Sequence, residues 1–76
     1  ASKIGRLQLD IISFNMQKEK LYYDMGKKIA SLRKGKEISA DVTKPYLQKI
    51  GKIETRVGNR KREISRVKKG NTQKKG

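Results

Sequence analysis

From Ile4 to Leu32 the apolar residues fall at Ile4, Leu7, Ile11, Phe14, Leu21, Met25, Ile29 and Leu32. Steps of three and four keep side chains on one face of an α-helix, and no other regular structure has that period. One step is interrupted, because Lys18 stands where the stripe asks for an apolar residue. No proline breaks the run, its only glycines are Gly5 and Gly26, and Ser2 suits the N-cap. Gly35, behind Arg33 and Lys34, suits the left-handed position that ends a helix. The pattern predicts a helix over residues 3–34. At 1.5 Å per residue it spans roughly 48 Å, too long for a small globular core.

The second half of the chain repeats the signal. Tyr46, Ile50, Ile53, Val57, Ile64 and Val67 keep the same spacing, and Arg60 interrupts it as Lys18 does the first stripe. Residues 35–43 read as the connection, where Ser39, Asp41 and Thr43 are turn and cap formers and Ile38 and Val42 close the end of the core. Pro45 belongs in the first turn of the second helix, where its missing N–H is harmless, and Lys44 before it is pushed off helical angles. The predicted second helix covers residues 44–69, with Gly70 and Asn71 as its stop signal. Residues 71–76 hold no apolar side chain and are expected to form a disordered basic tail.

Two such stripes joined by a short connection predict an all-α fold: two long antiparallel helices in a coiled-coil-like helical hairpin over residues 1–70. Folding at the connection sets Leu32 against Tyr46, Met25 against Ile53, Leu21 against Val57, Phe14 against Ile64 and Ile11 against Val67. This register places the two interruptions, Lys18 and Arg60, opposite each other. It also puts Ile29 beside Leu47, Tyr22 beside Glu54, Asp24 beside Arg56 and Gln17 beside Glu63.

The first helix carries a second row that the hairpin does not use. Leu9, Ile12, Met16 and Tyr23 lie opposite Ile11 and Met25 at 100° per residue, with the small residues Gly5, Gly26 and Ala30 on the same side. Four large apolar side chains in one row on so hydrophilic a chain point to an interface. Its occupant is a protein partner or a second copy, and self-association there makes a four-helix bundle.

Charge supplies the other functional signal. The 76 residues carry 21 Lys and Arg against seven Asp and Glu, a net +14, with +5 in residues 1–38 and +9 in 39–76. Such a balance favours acidic partners. Towards the C-terminus, Arg56, Arg60, Lys61, Arg62, Arg66, Lys68 and Lys69 form a basic helix end that can track a phosphate backbone, with Lys74 and Lys75 beyond them. No aromatic residue stands among them to stack bases, so nucleic-acid binding through this helix is of low specificity and is the alternative function.

Histidine and cysteine are absent, the seven carboxylates are scattered, and no glycine-rich loop follows a strand. The expectation is therefore no enzyme, no cofactor, no metal and no small-molecule substrate. No apolar run is long enough to span a bilayer, no secretory signal is seen, and the amphipathic pattern does not suit a membrane surface, which favours a cytoplasmic location. The opening Ala1-Ser2, with no methionine, suits a processed form or a piece of a longer chain. Helical hairpins serve unrelated functions, so function must come from the surface. The expected role is a non-enzymatic protein–protein interaction or assembly module presenting a helical face.

Overall fold

The computed structural model describes residues 2–32 and 40–75, with side chains as far as Gly70. They form the expected all-α hairpin. Helix α1 (Lys3–Ser31) packs along α2 (Ala40–Lys75) in a body of 64 × 20 × 12 Å. No helix among the described residues is long and apolar enough to cross a membrane.

Ser2 caps α1 as its position predicts. Its backbone is extended, its Oγ accepts from the Gly5 N–H at 3.0 Å, and its carbonyl accepts from the Arg6 N–H at 3.1 Å. A Cβ at Gly5 would stand 3.2 Å from Ser2 Oγ, so the glycine there serves the cap. At the other end the helix stops at Ser31, earlier than its apolar pattern implies. The Leu32 N–H turns back to the Ile29 carbonyl at 3.0 Å, and Ser31 Oγ donates to the Lys28 carbonyl at 2.6 Å. Such short-range bonds satisfy carbonyls that have no further turn to bond them. Gly35 and its expected C′ role lie outside the described residues, as do Arg33, Lys34, Ile38 and Ser39.

The start of α2 corrects the expected boundary. Asp41, Val42 and Thr43, read as connection, are helical, and Pro45 lies inside the helix. Asp41 gains the positive end of the helix dipole, Thr43 Oγ1 donates to the Ala40 carbonyl at 3.4 Å, and Val42 becomes half-buried. These gains offset a proline that cannot donate to the Asp41 carbonyl. Pro45→Ala should restore that bond and stabilise the fold by about 1–3 kcal/mol, raising the thermal midpoint by at least about 4 °C. An unchanged midpoint would mean that the helix begins at the proline after all.

The C-terminal boundary moves as well. Helix α2 runs through Gly70 to Lys75 in place of the expected disordered tail. The glycine is tolerated in the helix at a cost of about 1 kcal/mol.

Leu7 of α1 and Ile50, Ile53 and Val57 of α2 are buried, whereas Ile11, Phe14, Leu21, Met25 and Ile64 are only half-buried. Two helices shield a seam from one side each, and its margins stay wet.

The register differs from expectation by about one helical turn. Arg60 does not face Lys18. Its Nε donates to Asp10 Oδ2 at 3.1 Å, and its guanidinium lies 5.7 Å from the centre of the Phe14 ring. Lys18 reaches Glu54 instead, at 3.9 Å, and Lys3 reaches Glu63 at 3.7 Å. Leu21 shares a groove with Ile53. The physical reason is burial and charge acting together. A stripe spaced in threes and fours fits again one turn along, and the shifted fit brings Leu7, which the expected pairing leaves beyond Val67, into the buried seam. The expected register sets two cations face to face, whereas the observed one gives each a carboxylate from the opposite helix. Each pair is partly exposed and worth at most about 1 kcal/mol, which adds to the burial of Leu7 in favouring the observed register.

Candidate protein-docking face

Helix α1 turns its second row outward. Leu9, Ile12, Met16 and Tyr23 are 61%, 55%, 65% and 66% exposed, against 7% for Leu7 on the other face. Three of the four come together: Leu9, Ile12 and Met16 line one open apolar groove of about 510 Å³, edged by Ser13, Gln17 and Lys20. Tyr23 lies farther along the helix, outside that groove, with the Lys27 ammonium 5.4 Å from its ring centre. Of the small residues, Gly26 has open space where a Cβ would stand, so a neighbouring backbone has room there. Gly5 is accounted for by the Ser2 cap.

The basic residues do not gather on one surface. Arg60 is held by Asp10 and Phe14 and is half-buried. Lys61 borders a separate, smaller groove with Lys18, Glu54, Val57 and Gly58. Arg62 donates to Asn59 Oδ1, and Arg62, Arg66 and Lys69 are exposed along the side of α2 turned from the seam. Lys68 is exposed as well. Arg56 belongs to yet another surface.

That surface escaped the sequence pattern. Lys49, Lys52 and Arg56 of α2 and Lys20 and Asp24 of α1 stand around a groove of about 430 Å³, with Leu21 and Ile53 in its lining. Arg56 and Asp24 border the groove together but form no ion pair across it among the described residues. The signal was present as the spacing of Lys49, Lys52 and Arg56 by three and four, which puts them on one side of α2. They line a groove with α1 only when the register brings Lys20 opposite.

Exposure also exceeds expectation at Leu47 and Tyr22, at 53% and 47%, on residues expected to flank the seam. The one-turn shift moves the residues they were meant to meet: Glu54 now pairs with Lys18. No protein-family model matches the chain, and neither curated proteins nor solved structures yield a match to it.

Proposed function

We propose that the chain is a non-enzymatic interaction module that docks a helix of a partner protein on the outer face of α1. The observation that carries this reading is the joining of Leu9, Ile12 and Met16 into one groove on the face turned from α2. A helix laid there covers side chains that the hairpin leaves in water, and it does so with the same spacing that built the hairpin. A thin, half-wet seam also gains from a third helix, which shields one of its margins.

The occupant is another protein in preference to a second copy. Each copy carries +14, and Lys20 and Lys27 stand within or beside the apolar row. Pairing two such faces concentrates like charge where it is least screened. The dispersal of Arg56, Arg60, Lys61 and Arg62 over different surfaces makes nucleic-acid binding by α2 the weaker reading.

A photo-crosslinking residue placed at Met16 in cells should yield a discrete product with a second protein. The same residue at Ser65 of α2, away from both grooves, should not. Changing Ile12 to Lys should remove the Met16 product while the helical circular-dichroism signal is retained. Equal crosslinking from both positions, or a product of twice the 8.7 kDa chain mass, would reject a dedicated face for a foreign partner.

A further inference from the structure

The apolar groove on α1 does not end at Lys20. Gln17 and Lys20 border it and also border the cationic groove between the helices, so the two form one continuous surface. The first part is apolar; the second sets four cations, Lys20, Lys49, Lys52 and Arg56, against the single acid Asp24.

We infer that the partner helix is acidic along one flank, with its apolar stripe on Leu9, Ile12 and Met16 and its carboxylates over Lys20, Lys49, Lys52 and Arg56. This rests on the docking face proposed above and specifies its partner. Spacing supports it, since Lys49, Lys52 and Arg56 repeat in the steps at which a facing helix presents glutamates. Position supports it too. Charges at the rim of an apolar contact select the partner and set its register more than they add affinity. A phosphate backbone fits less well. The cationic groove has Leu21 and Ile53 in its lining and leads into an apolar one, and nucleic acid has no apolar side with which to cover Met16.

The test uses phage-displayed helices of roughly 20 residues, about 30 Å long, with a fixed leucine stripe and flanks varied among Glu, Gln and Lys. The intact chain should select sequences carrying Glu on one flank. Changing Lys49, Lys52 and Arg56 together to Gln should abolish that bias and weaken a selected peptide about tenfold. Changing Arg62, Arg66 and Lys69 to Gln removes the same charge elsewhere, and should leave bias and affinity unchanged.

The outcomes separate the two ideas. Binders with no preference for Glu, or a bias lost equally in both triple variants, overturn the acidic flank and leave the docking face standing. Binders that survive Ile12→Lys with Met16→Lys overturn the docking face itself. Failure to select any binder overturns both. Displacement of a selected peptide by single-stranded DNA from the wild type but not from the groove variant would assign the groove to phosphate and reject the inference.

Discussion

Ile50→Ala is expected to lower the thermal midpoint by at least about 10 °C and to leave part of the chain unfolded at 37 °C. Ile50 is the most enclosed of the buried residues, at 3% exposed. Removing three buried carbons from such a site costs about 2–5 kcal/mol. A domain of this length holds about 4–10 kcal/mol in all, and a two-helix seam belongs at the low end. Each kcal/mol shifts the midpoint by about 4–8 °C at this size, so the loss is large by any of these figures. Ile12→Ala is the matched control. The same atoms are removed from a side chain 55% exposed, and the change should stay within about 0.5 kcal/mol. Thermal melts followed by circular dichroism measure both. Equal losses at the two positions would mean that Ile12 is already covered, as a self-associated bundle requires.

The second large effect concerns register. Cysteines at Leu21 and Ile53 should close an intramolecular disulfide under mild oxidation, because both residues border one groove of the seam. Cysteines at Met25 and Ile53, the pair expected from the apolar pattern alone, stand about one turn out of line, roughly 5 Å along the axis. Bridging requires Cα atoms within about 7 Å, so this second pair should oxidise at least about tenfold more slowly. Quantifying the crosslinked monomer on denaturing gels decides between them. Faster closure of the Met25–Ile53 pair would restore the register in which Lys18 faces Arg60.

Period and polarity made the hairpin legible. Two stripes in threes and fours, joined by a short polar segment, admit few other folds, and Ser2 announced its cap. The ends were less so. Pro45 argued for a helix starting at residue 44, and what overruled it was a set of small local gains at Asp41, Val42 and Thr43 that no single residue advertises. Register was the least legible, because the coincidence of Lys18 with Arg60 looked like a specification when like charges had every reason to avoid it. The carboxylates that settle the matter, Asp10 and Glu54, sit beside the stripes and carry no period. The exposed apolar row on α1 was readable at Leu9, Ile12 and Met16, since exposure there follows from helical angle alone. The cationic groove was not, because Lys20 meets Lys49, Lys52 and Arg56 only once the register is known.

The bond between Arg60 and Asp10 therefore bears on how the chain finds its structure as well as on what it looks like when found. Hairpins zipped one turn apart share most of their apolar side chains, and the end residue Leu7 is the chief one that hydrophobic collapse can use to tell them apart. A hairpin zipped one turn out would be a compact competitor of the native one, and escape from it would require the helices to slide or to part. What tilts the landscape is a pair of attractions acting across partly wet ground, Arg60 to Asp10 and Lys18 to Glu54. Such attractions weaken as ions accumulate. Frustration in this small protein is thus set by its surroundings: the gap between correct and displaced pairing is widest in dilute salt and narrows as ionic strength rises.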